Sequence, residues 1–113
     1  MKLWIDDCRP APEGYVWAKS VSKAKSVIAK LEYRNKIEQE EFWGLRPVPD
    51  LLEVIDIDHD AGDYVSDGGD YIKLLDWLEA TGRNYPIRIH SMNPIGVENM
   101  RRIIQRNGWK EIF

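Results

Sequence analysis

The stretch Val54-Ile55-Asp56-Ile57-Asp58-His59-Asp60-Ala61-Gly62 constrains this chain more than any other. An apolar, β-branched run ends abruptly in aspartates and a histidine, with a glycine just beyond. A buried strand that delivers ionisable groups at its C-terminal end is how α/β proteins usually present chemistry. Asp56 alternates with Ile55 and Ile57, so it shares a face with Asp58. A carboxylate inside such a strand needs a partner, either as support for reacting groups or as a satisfied core group. The second reading is the simpler one.

The rest of the chain supplies strands and helices in alternation. Lys2–Ile5 reads as a short buried strand running into Asp6-Asp7, and the two prolines and glycine of Cys8–Gly14 exclude regular structure after it. Tyr15–Ala18 is a second strand. Ser20 or Ser22 caps a helix whose apolar positions Ala24, Val27, Ile28 and Leu31 follow helical spacing to about Tyr33. Segment 34–49 fits neither period; a helix extension followed by a surface excursion is expected, with Trp43 covering the core edge. Leu51–Ile57 is the central strand, followed by a glycine-bearing loop from His59 to Gly69. Tyr71, Leu74, Leu75 and Leu78 form one face of a helix stopped at Gly82. Pro86–Ile89 is a fourth strand. Asn93-Pro94 caps a helix carrying Val97, Met100 and Ile104 that Gly108 ends, and Trp109–Phe113 has the length of a fifth strand.

Strands joined by helices imply right-handed crossovers and a mostly parallel sheet. The 113 residues suit a single α/β domain over 1–113. The expected architecture is a flavodoxin-like three-layer sandwich with five strands in the order 2-1-3-4-5, its first crossover helix replaced by a loop. Such a sheet brings Asp6 and Asp7, then Asp58, His59 and Asp60, then His90 and Ser91, to one edge. Both histidines of the chain fall there.

Each of these residues also has a plainer role. Asp6-Asp7 can begin a turn, Asn93 can be only a helix cap, and His90 can be structural. Together they can do more. Asp6, Asp7, Asp58 and Asp60 can hold a hard divalent cation such as Mg²⁺ through oxygen. His59 and His90 can serve as general base and general acid, with Asp58 as their partner. Arg9 and Ser91 can bind a phosphate oxygen, and Asn93 opens a helix whose N–H groups face the same place. The set favours phosphate chemistry over acyl transfer, because Ser91 lacks a nucleophile-elbow context.

Charge narrows the partners. Residues 1–36 hold eight Lys/Arg against four acids, 37–80 two against thirteen, and 81–113 six against two. With a net charge of −3, broad nucleic-acid binding through the backbone is not expected. A phosphate-bearing small molecule or an RNA end is. The lone Cys8 excludes an internal disulfide, no apolar run has the length of a membrane span, and no signal region is legible. A cytoplasmic location is the default expectation. Nothing in the pattern fixes an oligomeric state.

At these residues the sequence resembles the cyclic-phosphate processing receiver domains. The likeness lies in Leu3-Trp4-Ile5-Asp6-Asp7-Cys8-Arg9-Pro10, in Asp58-His59-Asp60-Ala61-Gly62, and in His90-Ser91-Met92-Asn93-Pro94-Ile95-Gly96 with Asn99-Met100. It implies a receiver-like fold and the processing of cyclic phosphates, such as 2′,3′-cyclic RNA ends or cyclic nucleotides, by a phosphoesterase. The aromatic-bearing segment 34–49 departs from the family. The same blocks partly resemble phosphorelay receivers, with Asp6/Asp7 as acidic pair, Asp58 as phosphoacceptor and Ser91 after strand 4. That resemblance implies the alternative, a phosphoacceptor or non-catalytic ligand-binding module. Against it, Lys110 falls within the last strand candidate, and such receivers do not need His59 and His90.

Overall fold

The structure, a computed structural model, describes residues 1–42 and 52–113, without the side chains of 38–42. Its strands are β1 (Lys2–Ile5), β2 (Tyr15–Ala18), β3 (Val54–Ile57) and β4 (Ile87–Ile89), and its helices are α1 (Val21–Phe42), α2 (Ile72–Ala80) and α3 (Pro94–Asn107). A 3-10 turn, Gly62–Tyr64, interrupts the loop after β3. The four strands are parallel, in the order β2-β1-β3-β4. Trp43, Gly44, Pro47 and Pro49 lie outside the described residues. No helix among those described is long and apolar enough to cross a membrane.

Alternation along the strands sorts their side chains. Leu3 and Ile5 on β1, Ile55 and Ile57 on β3, and Ile87 on β4 are fully buried and share one face. Against that face pack Ala24 and Ile28 of α1, Leu74, Leu75 and Leu78 of α2, and Met100, Ile103 and Ile104 of α3. Burying each such Leu or Ile is worth roughly 1.5–3 kcal/mol, so a one-residue register slip would lose most of the core.

The opposite face differs. Lys2, Trp4, Tyr15 and Trp17 are half-buried there, and Arg88 is exposed. Among the described residues, then, the fold has two layers rather than the expected three. The reason lies in the crossovers. The β2-to-β3 and β3-to-β4 connections step across the sheet in the same direction and, being right-handed, put α1, α2 and α3 side by side on one face. The β1-to-β2 connection steps the other way and would put a helix on the second face, but the Pro-rich loop carries none.

The expected fifth strand at Trp109–Phe113 also fails to form. It is reduced to one bridge between Ile87 and Glu111, although Trp109 is buried and Ile112 N–H donates to Ile87. Hydrogen bonds to this segment from β4 gather at Ile87 alone, whose N–H donates to Lys110 and whose carbonyl accepts from Ile112, so no ladder runs on to Ile89. Helix ends follow the sequence more closely. Ser20, not Ser22, caps α1 by accepting from Lys23 N–H at 3.0 Å. Asn93 accepts from Gly96 N–H at 3.0 Å to cap α3, and Gly108 ends it in the left-handed region at φ 66°.

Candidate active site

The acidic turn after β1 is built by Asp6. Its Oδ1 accepts from the backbone N–H of Cys8 at 3.0 Å and of Arg9 at 2.9 Å, so the carboxylate closes the turn that the prolines prolong. Its Oδ2 meets Nε2 of His90 at 2.9 Å and lies 3.5 Å from Nε of Arg9. Burial by itself pushes this carboxyl up, but the Arg9 and Cys8 N–H groups, His90 and the Arg9 charge outweigh it and hold Asp6 below its ordinary value.

His90 is the most restrained side chain of the site. Its Nδ1 meets Asp56 Oδ1 at 2.6 Å while its Nε2 meets Asp6. Its ring stacks on Trp4 at 3.8 Å between centroids. Each ring nitrogen thus meets a carboxylate, which fixes the imidazole along both edges. The uncovered face of the sheet is what leaves room for this ring to lie across β3 and reach β1. Asp56 is thus a partner of His90 rather than an isolated core group. Its Oδ2 is buried without a hydrogen bond, and the Arg88 guanidinium stands 3.7 Å away.

His59 occupies a different place. It follows Asp58 by one residue, so strand alternation turns it from the Asp56 and Asp58 face toward the helices. There its ring rests on Gly96 of α3. A Cβ at Gly96 would stand 2.4 Å from His59 Cγ, which only glycine avoids. Nδ1 meets Asp60 Oδ1 at 2.8 Å, and Asn93 Nδ2 lies near both groups at 3.4–3.5 Å. Nε2 has no hydrogen-bond partner among the described residues. The two histidines share no partner.

Asp58 joins the two halves. Its Oδ1 accepts from His59 N–H at 2.8 Å, and its Oδ2 lies 3.6 Å from Nη2 of Arg9. The Arg9 guanidinium therefore bridges Asp6 and Asp58, with its side chain nearly half exposed at 46%. Ser91 Oγ accepts from Asn93 N–H at 3.2 Å, which leaves its own O–H free to donate. A bridging arginine, an oriented imidazole and a hydroxyl at a helix start are each of a kind that can meet an oxyanion.

A family model for cyclic-phosphate processing receiver domains matches residues 1–106. The chain belongs to that family. No curated protein and no solved structure was found to match it.

Within this receiver-like frame the expected Mg²⁺ ligands can be tested on their contacts. A hard cation takes carboxylate and water oxygens. Both oxygens of Asp6 already accept hydrogen bonds, and Arg9 stands where a cation shared by Asp6 and Asp58 would sit. Asp60 turns to His59 instead. Asp7 lies against Gly62, whose added Cβ would meet its Oδ2. The acidic group whose ligand atoms cluster within 4.8 Å among the described residues is Asp6, Asp7 and Cys8. Desolvation and the Asp7 and Asp6 charges push the Cys8 thiol up, and a protonated sulfur is a poor ligand for Mg²⁺. In this arrangement the four aspartates do not fit a shared Mg²⁺ site.

Sequence reasoning missed Trp4 as the platform under His90 and Gly96 as the seat of His59. Period-2 spacing could have found the first, since Trp4 and Asp6 point the same way. Helical spacing could not have found the second, because Gly96 matters for a contact made across the fold.

Proposed function

We propose that this domain hydrolyses a cyclic phosphodiester, with His59 as general base and Arg9 as the principal charge on the phosphate. The observation that carries this reading is the His59 dyad, in which Asp60 holds Nδ1 at 2.8 Å and Nε2 is left open. A carboxylate on one ring nitrogen fixes the tautomer that leaves a lone pair on the other. Nε2 takes a proton from water as the water oxygen bonds to phosphorus. The phosphorus–oxygen bond to the ribose breaks, and the departing oxygen takes its proton from solvent at the exposed edge.

Arg9 and the Ser91 O–H stabilise the charge that builds on the phosphoryl oxygens. Asp58 has a positioning role, because one oxygen takes a backbone N–H and the other faces Arg9. His90 holds Asp6 and Asp56 in place instead of acting as the acid, since both its nitrogens are engaged. No step is assigned to a divalent cation.

The test is turnover of nucleoside 2′,3′-cyclic phosphates by wild type, by His59→Ala, and in the presence of a chelator. Losing the base should cost on the order of 10²–10⁴-fold, and the chelator should cost nothing. A wild type with no turnover, or a His59→Ala variant that retains it, overturns the reading. A stable acyl phosphate on Asp58 after acetyl-phosphate treatment would favour the phosphoacceptor alternative.

A further inference from the structure

A cavity of about 320 Å³ opens at the end of β2, lined by Trp17, Lys19, Ser20, Lys23, Tyr64 and Asp67. None of these residues takes part in the chemistry assigned above. We propose that this cavity seats a nucleobase, so that the cyclic phosphate processed at the adjoining edge is that of a nucleotide. The inference rests on the hydrolytic reading of that edge and adds the part of the substrate that the edge does not contact.

The first argument is the lining. Trp17 and Tyr64 are large aromatic side chains within reach of one cation: Lys19 Nζ lies 4.5 Å from the Trp17 ring centroid and 5.9 Å from that of Tyr64. Two electron-rich rings thus line the same opening as the ammonium. A planar heterocycle gains stacking from such rings whatever its sequence identity. Entering the opening, it turns the flexible Lys19 side chain outward, where the ammonium meets phosphate. The Lys19 backbone stays in place because its carbonyl accepts from Tyr71 O–H at 2.8 Å.

The second argument is construction. Ser20 Oγ donates to Asp67 Oδ2 at 2.6 Å and caps α1 through Lys23 N–H, while Ser22 N–H donates to the Asp67 carbonyl. These bonds tie the loop that bears Tyr64 to the helix that bears Lys23. The wall is built, and not a chance dent between mobile side chains. Its dimensions fall at the lower end of small-ligand pockets.

The third argument is continuity with the acidic edge. Trp17 Nε1 donates to the Asp6 carbonyl at 2.8 Å, so the indole spans from the cavity to the turn that carries Arg9. Gly62, two residues before Tyr64, lies against the Asp7 carboxylate. The loop from His59 to Gly69 thus carries the proposed base at one end and one wall of the cavity at the other. A cavity holding two lysines and two aromatics beside a phosphate site suits a base and its anionic sugar better than an aliphatic group.

The test uses calorimetry on the His59→Ala protein, in which binding is read without turnover. The probes are adenosine 2′,3′-cyclic phosphate and inorganic phosphate. Tyr64→Ala, on the same background, should weaken the cyclic nucleotide about five- to a hundredfold and leave inorganic phosphate unchanged. Lys23→Ala, on the exposed first turn of α1, gives an independent reading and should also weaken the nucleotide. Equal affinity for the nucleotide in parent and both variants overturns the subsite. Tyr64-dependent binding by a protein whose wild type shows no hydrolysis leaves the subsite standing and removes the hydrolase. Hydrolysis with affinities indifferent to Tyr64 and Lys23 does the reverse.

Discussion

The imidazole of His90 lies flat on the indole of Trp4, ring centroids 3.8 Å apart and planes 6° from parallel. With Asp56 on one nitrogen and Asp6 on the other, the ring is fixed along its edges and on one face. Such a side chain organises a site more readily than it shuttles protons through it. The other histidine of the chain is placed the opposite way, with one nitrogen oriented by Asp60 and the other open. On the hydrolytic reading proposed above the two residues divide structure from chemistry, and that division can be measured.

His90→Gln should cost stability. Asp6 is fully buried and Asp56 nearly so at 1%, so removing the imidazole leaves Asp56 Oδ1 without its partner and Asp6 Oδ2 with Arg9 alone. Breaking a buried pair costs about 3–5 kcal/mol, read as a fall in the midpoint of urea unfolding. His59→Ala, by contrast, should lie within about 1–2 kcal/mol of wild type, the usual range for a point substitution, while losing turnover. Equal destabilisation by the two substitutions would contradict the division.

The elements that the sequence made legible are those decided by local periodicity. β1 and β2 lie where alternation puts them, and the buried faces of α2 and α3 follow from Leu74, Leu75, Leu78, Met100 and Ile104. What failed depended on neighbours. The third layer was expected by analogy with complete doubly wound sheets, yet a layer needs a crossover that contains a helix, and Cys8–Gly14 contains none. The fifth strand needed hydrogen bonds along the whole of β4, and the C-terminal segment makes them at Ile87 alone. At the edge, Asp58 and His59 follow β3, and His90 and Ser91 follow β4. Strand alternation, applied two residues past the end of β3, already separates His59 from Asp58. The segment around Trp43 falls outside the described residues.

Gly96→Ala isolates the seat of His59. A methyl group there would be 2.4 Å from the ring, so the imidazole must move away from Asp60 or α3 must shift. Gly96 does not have a positive φ, and alanine favours helix over glycine by about 1 kcal/mol. Helix content should therefore be retained on circular dichroism. Turnover should fall on the order of 10²-fold, the scale expected for a displacement of about 1 Å in a reacting group. Unchanged turnover would mean that the contact on Gly96 has no part in orienting the base.

Arg9→Ala should change the response to Mg²⁺. In the native arrangement the guanidinium lies 3.5 Å from Asp6 Oδ2 and 3.6 Å from Asp58 Oδ2, filling the position of a shared cation. Without it, Asp58 Oδ2 loses its cation and Asp6 Oδ2 keeps His90 alone, and a hard divalent ion can restore the balance. Thermal unfolding of wild type should be indifferent to millimolar Mg²⁺, while that of Arg9→Ala should shift upward. A rise in wild-type stability with Mg²⁺ would show that the acidic edge takes the metal with Arg9 present.

Glu32 provides a pH test away from the site. Its carboxylate, about a quarter exposed, accepts from Arg83 at 2.8–3.1 Å and from the Tyr85 hydroxyl, joining α1 to the chain that leads into β4. Burial pushes it up, but the Arg83 and Tyr85 hydrogen bonds and the Arg83 charge hold it below its ordinary value. A carboxyl lowered on folding adds stability above its unfolded pKa and loses it as pH falls through the folded one. At neutral pH, Glu32→Gln should thus cost about 1.5–3 kcal/mol, the worth of hydrogen bonds to a charged group. The gap between variant and wild type should close as pH falls below about 4.5, the usual range for glutamate, while turnover at neutral pH matches that of wild type. A gap that stays constant from neutral to acid pH would assign the effect to packing and not to the charge.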